Sequence, residues 1–162
     1  GPKADPRMSP MAKVDRPFHL RSVFELGSDA WGEDRFWNPT WIKFREAVSL
    51  PNAIDDPKEA AFRLQALSRC LIAYASDMGL VSTAVLPHQS GTSRGDVQMA
   101  SLDHSLWIHR SASLDQWLLF HKRTSTAQGS RGMVHSEFFG ENGTLVASMT
   151  QEGLLRKRRD AS

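Results

Sequence analysis

The sequence predicts an α+β domain in which an antiparallel sheet wraps around one long helix. Three observations carry that expectation. A strongly capped apolar helix occupies the middle of the chain, two short strands precede it, and four strands follow it with no second credible helix among them. A doubly wound α/β sheet would need helices alternating with the strands, so it is excluded.

The helix is the sharpest local signal. Asp56-Pro57-Lys58-Glu59 places a carboxylate at the N-cap, proline at the first helical position and glutamate three residues after the cap. The Asp oxygen accepts a free backbone N–H, proline has none to leave unsatisfied, and glutamate complements the helix dipole. The helix should run to about Ser76, with Gly79 as its stop signal. No residue from Cys70 to Ala75 is charged. That half is therefore expected to be surrounded by protein, with Cys70 as a small core hydrophobe.

Around it, strands are expected at Phe18 to Phe24 and Thr40 to Val48, where aromatic and β-branched residues gather. Gly27 to Pro39 reads as a loop between them. Val97 to His109, Gln116 to Ala127, Gly132 to Phe139 and Thr144 to Arg156 read as four more strands. Gly140-Glu141-Asn142-Gly143 is a turn that should join the last two as a hairpin. The order strand, strand, buried helix, four antiparallel strands is that of a single hotdog fold. Its expected limits are residues 17–156, after a proline-bearing lead-in over 1–16 and before a basic tail over 157–162. Gly1-Pro2 reads as the remnant of a cut tag.

With 162 residues the chain is one domain long, and 40% hydrophobic with 23% charged residues is ordinary globular composition. Twenty basic against 18 acidic residues leave a net charge of +2, which calls for neither nucleic acid nor membrane. No apolar run reaches the roughly 20 residues of a membrane span. The basic run Arg156-Lys157-Arg158-Arg159 reads as a solvated tail, with phosphate contact to a ligand as the alternative. Cys70 is the only cysteine, so no internal disulfide can form. A reducing, cytoplasmic compartment is expected, and Asp160-Ala161-Ser162 is no peroxisomal address.

Several motifs fail on context. Gly91-Thr92-Ser93-Arg94-Gly95 spells the nucleophile elbow, but that motif needs a strand before Ser93 and a helix after it. Here the order is inverted, and a flexible loop is the better reading. The six histidines show no metal-ligand spacing, so no metal and no cofactor are expected. His104 should face the same side as Leu102, Leu106 and Ile108, as a hydrogen-bonded core histidine, with His109 on the opposite face. Asn142-Gly143-Thr144 reads as a turn rather than a glycosylation site.

Two polar residues stand out by placement. Asp77 lies at the helix C-terminus, where the dipole disfavours a carboxylate. It is either a turn residue or a functional one. Gln151 shares a strand face with Leu145, Ala147, Met149 and Leu155. A buried amide there needs partners or costs about 1–3 kcal/mol.

Tyr74-Ala75-Ser76-Asp77 followed by Ser101-Leu102-Asp103-His104-Ser105-Leu106-Trp107-Ile108-His109-Arg110 resembles the signature of the type II (TesB-like) acyl-CoA thioesterases. Trp117-Leu118-Leu119, Arg131-Gly132, Leu145-Val146-Ala147-Ser148 and Gln151-Glu152-Gly153 resemble it too, in the family's order and approximate spacing. The resemblance spans roughly Pro17 to Arg156 and is strongest after Leu71. It covers the C-terminal of the family's two hotdog domains. It implies a catalytic trio of Asp77, Ser101 and Gln151, which aims a water at the thioester of an acyl-CoA. Fatty acid and coenzyme A would be the products. Ser101 enters through the resemblance alone.

The resemblance also implies a partner, because the family's first hotdog domain has no counterpart here. The chain is expected to pair with a copy of itself or with a separate N-terminal half. A non-catalytic acyl-CoA-binding or assembly half-domain is one alternative function. A hotdog enoyl-CoA hydratase is another, though it needs a closer Asp–His pair than Asp77 and His88.

Overall fold

The computed structural model describes residues 17–24, 36–50, 54–88 and 96–158. Strands β1 (Phe18–Ser22) and β2 (Thr40–Phe44) precede helix α1 (Pro57–Ser76). A short helix α2 (Leu80–Thr83) and a 3-10 turn (Leu86–His88) follow. The chain then forms β3 (Val97–Ser101), β4 (Ser105–Ile108), β5 (Leu118–Gln128), β6 (Arg131–Gly140) and β7 (Leu145–Lys157). All pair antiparallel in the order β1-β2-β5-β6-β7-β3, with β4 beside β3 on the same edge of β7. A curled antiparallel sheet with one long helix on its inner face is the hotdog architecture.

The helix begins where its sequence says it should. The Asp56 carboxylate accepts the Lys58 N–H at 3.0 Å, Pro57 opens the first turn, and Gly79 ends the region at φ 74°. Glu59 does not reach back to the cap; it pairs with Arg63 at 2.6 Å, one turn along. The β6–β7 hairpin closes at Gly140 to Gly143, where Gly143 adopts φ 79°.

Four expectations are corrected. The predicted strand from Val97 to His109 is two strands, interrupted at residues 102–104, so the sheet has seven strands rather than six. The second half of α1 is not enclosed. Ser68, Ile72, Ala75 and Ser76 are buried, whereas Cys70 and Ala73 are exposed and Tyr74 is 57% exposed. One sheet covers only one side of a helix, and among the described residues nothing covers the other. Leu102 is exposed rather than grouped with Leu106 and Ile108. The helical stretch Pro57–His88 does reach membrane-spanning length and hydropathy, contrary to the expectation. A core helix meets the same criterion, and Gly79 bends this one. The lead-in over 1–16 and the elbow motif at Ser93 lie outside the described residues. At the other end β7 takes in Lys157, and Arg158 donates its N–H to Asp96 O, so the strand reaches into the expected tail.

The core lies between α1 and the sheet, built from Ile42, Ile72, Ala75, Leu80, Phe120, Val134, Phe138, Ala147 and Met149. The α2 turn seats directly on β6 and β7 because their facing residues, Gly132 and Gly153, have no side chains. A Cβ on Gly132 would lie 2.5 Å from Ala84 Cβ, and one on Gly153 would lie 2.6 Å from Val81 Cγ1. Gly132→Ala and Gly153→Ala should each destabilise the fold by about 1–3 kcal/mol through overpacking. Urea unfolding measures this, and an unchanged midpoint would mean that α2 is not held against the sheet. The fit matters for function because α2 continues from the end of α1, where Asp77 sits.

Candidate active site

Asp77 is the C-cap of α1, its own N–H bonded to Ala75 O. Ser101 is the last residue of β3, opposite Gly153 of β7. Gln151 lies two residues before Gly153 on the same inward face of β7. The three meet although they are separated by up to 74 residues in sequence. Gln151 Nε2 donates to Asp77 Oδ1 at 2.6 Å, and Ser101 Oγ donates to the same oxygen at 3.5 Å. The Gln151 bond is short and charge-assisted; the Ser101 bond is long and weak.

The amide orientation of Gln151 is fixed by chemistry, since a carboxylate accepts only and must therefore face the NH₂ group. Its other end is left exceptional. Gln151 is 1% exposed, yet its Oε1 is buried with no hydrogen-bond partner among the described residues. Asp77 and Ser101, by contrast, are exposed. The trio therefore opens outward, with a buried amide at its back and a carboxylate at its mouth. Both bonds fall on Asp77 Oδ1, which leaves Oδ2 to take a proton.

All three residues named from the sequence are thus brought together. Three further residues bond around this group, next to its members in the chain rather than to them. Ser76, fully buried, donates its hydroxyl to Ala73 O at 2.7 Å and bonds His104 Nε2 at 2.8 Å. Asp103 accepts the Glu152 N–H at 2.7 Å. His104 is hydrogen-bonded as expected, but it is exposed rather than core. His109 bonds Ser148 Oγ on the outer face, and His88 is exposed at the end of the 3-10 turn. In sequence, Asp103 and His104 stood inside the segment that carries the family resemblance, with no role given to Asp103 and a core role to His104.

The fold defines a hotdog protein, with this polar cluster at one sheet edge. A family model described as acyl-CoA thioesterase matches residues 58–154, and the chain belongs to that family, in its TesB-like branch. It is 38% identical over 90 residues to acyl-CoA thioesterase 2 of Haemophilus influenzae, covering 56% of this chain and 32% of that protein. It is 41% identical over 93 residues to acyl-coenzyme A thioesterase 8 of Mus musculus, covering 57% and 28%. The match therefore spans about a third of these relatives' length. Among solved structures, the acyl-CoA thioesterase II TesB2 of Mycobacterium marinum superposes with TM-score 0.65 at 30% identity. That superposition covers 88% of this chain and 50% of the other.

Proposed function

We propose that this domain hydrolyses acyl-CoA thioesters to the free acid and coenzyme A by a water held at Asp77, whose carboxylate Gln151 and Ser101 orient. The observation that carries the reading is the convergence of Gln151 Nε2 and Ser101 Oγ on one oxygen of the solvent-exposed Asp77 carboxylate. Its second oxygen, Oδ2, has no partner among the described residues and can accept a proton from a water at the mouth of the site.

The chemistry follows from which atoms remain available. Asp77 Oδ2 takes one proton as the water oxygen bonds to the thioester carbonyl carbon. The carbonyl becomes an oxyanion, and its collapse breaks the C–S bond. The departing thiolate recovers the proton from Asp77. The products are one carboxylic acid and one thiol, with no acyl group transferred to the protein. Because Gln151 spends an N–H on Asp77 Oδ1, its role is to orient the carboxylate. Ser101, on a longer bond to Asp77, steadies the carboxylate.

The substrate class rests on the family and on the names of the relatives, which are acyl-CoA thioesterases. The partner is a second hotdog domain, either another copy or an N-terminal half. Release of thiol from a series of acyl-CoAs, followed with a thiol reagent, tests the reading. Ser101→Ala should lower kcat by about 10-fold, somewhat below what a general acid or base contributes. No thiol release from any chain length by the paired domain would end the proposal.

A further inference from the structure

The interruption between β3 and β4 is a β-bulge, and it lies across from Gln151. Ser101 pairs with Gly153 and Ser105 pairs with Thr150, so residues 102–104 oppose only Gln151 and Glu152. Three residues face two. The N–H groups of Leu102 and Asp103 both point at Glu152 O, at 2.9 and 3.5 Å. The Glu152 N–H takes the Asp103 carboxylate instead of a strand carbonyl, at 2.7 Å. A bulge of this kind bends its strand and re-aims the side chains around it.

The extra residue also changes which side chains face inward. Strict alternation from Ser101 would send residues 103 and 105 inward and 104 outward. With the bulge, Leu106 and Ile108 pack against the core, and His104 reaches Ser76. Ser101 and His104, three apart, therefore grip Asp77 and Ser76, which are consecutive. The Ser76 hydroxyl has one hydrogen, and it goes to Ala73 O. With that hydrogen on Ala73 O, the Ser76 oxygen is left to accept from a proton on His104 Nε2.

We infer that Asp103 and His104 are positioning residues for the trio, forming a clamp built by the bulge. Asp103 holds the backbone of Glu152 and so sets the side chain of Gln151 next to it. His104 holds Ser76 and so sets Asp77 next to it. Neither touches the reacting atoms. The inference rests on the proposed hydrolysis for its kinetic meaning, while its geometry is testable without it.

The first test uses the folded, ¹⁵N-labelled chain. His104 should appear as the Nε2–H tautomer, and Ser76→Ala should release it to a mixture. Asp103→Ala should shift the Gln151 side-chain amide, and Asp103→Asn, which keeps an acceptor oxygen, should largely return it. A tautomer with its proton on Nδ1, or a Gln151 amide unmoved in Asp103→Ala, overturns the clamp.

The second test is kinetic, in the paired domain. Asp103→Ala and His104→Leu should each lower kcat by about 10- to 100-fold with KM held, as expected for a small misplacement of catalytic groups. Asp103→Asn and His104→Gln should recover most of that loss, since each restores the missing hydrogen bond. Wild-type kcat in both deletions would sink the clamp even where Asp77 proves essential. Full activity in an Asp77 variant would instead sink the hydrolytic reading and leave the resonance test standing. Should Asp103→Ala not fold, His104→Leu and Ser76→Ala decide alone.

Discussion

Asp77→Asn in the paired domain should lower kcat by about 10²–10⁴-fold, the range a general base contributes, with little change in KM. Asparagine is the sharper substitution because its side-chain oxygen can still accept the 2.6 Å bond from Gln151 Nε2. It keeps the geometry and removes only the basicity. Asp77→Ala should also abolish turnover, but it leaves the buried Gln151 amide without its partner. A lost partner of that kind costs about 1–3 kcal/mol, so Ala mixes a folding effect with the chemical one. Asn removes a negative charge that the dipole disfavours at the C-terminal end of α1 but also the charge assistance of the Gln151 bond, so the net change in stability should be small. Thiol release and thermal unfolding measured on the same preparation separate the two effects. Near-full activity in a stable Asp77→Asn protein would take Asp77 out of the mechanism.

The same local physics explains what the sequence made legible. Helix α1 starts after Asp56 and ends at Ser76 because caps and glycine stops act within about four residues, a range that sequence reading spans. The Gly140 to Gly143 turn is equally local. Asp77 and Gln151 could be singled out because each is a polar group where stability would choose otherwise. The structure bears out the oddity of Gln151, which is 1% exposed with one end unpaired. Ser101 gave no such signal, since a serine in a strand violates nothing, and only the family resemblance pointed to it.

What failed was tertiary. The bulge at residues 102–104 exists because Asp103 satisfies a backbone group 49 residues away, and no periodicity within the strand records that. Gly132 and Gly153 matter because α2 lands on them, which is likewise invisible before the sheet is assembled. Cys70 was misplaced for a different reason. An uncharged helical run says that apolar surface is to be covered; it does not say by which chain.

That misplacement leads to the second large effect expected. The domain alone should hydrolyse acyl-CoA far more slowly than the domain paired with a second hotdog unit, by on the order of 10²-fold. On α1, Phe62, Ala66, Cys70 and Tyr74 follow one another at four-residue intervals, all exposed, so they form a single stripe ending one turn before Asp77. The edge formed by β3 and β4 also exposes Leu102 and Trp107, at 52% and 53%. An edge strand also presents unpaired backbone groups. Asp77 and Ser101 are themselves open to solvent. A base facing bulk water works against a high dielectric, and covering the site would strengthen its electrostatics and hold the attacking water in place. The Mycobacterium marinum structure matches this chain with 50% of its own length, which leaves room there for a second unit of similar size. Cys70→Arg would place a charge in the middle of the stripe and should block pairing while leaving the single domain folded. Sedimentation and thiol release on the same samples separate the outcomes. A Cys70→Arg monomer as active as the parent would show that one hotdog suffices. An inactive monomer restored by an added N-terminal hotdog domain would show that the site is completed by its partner.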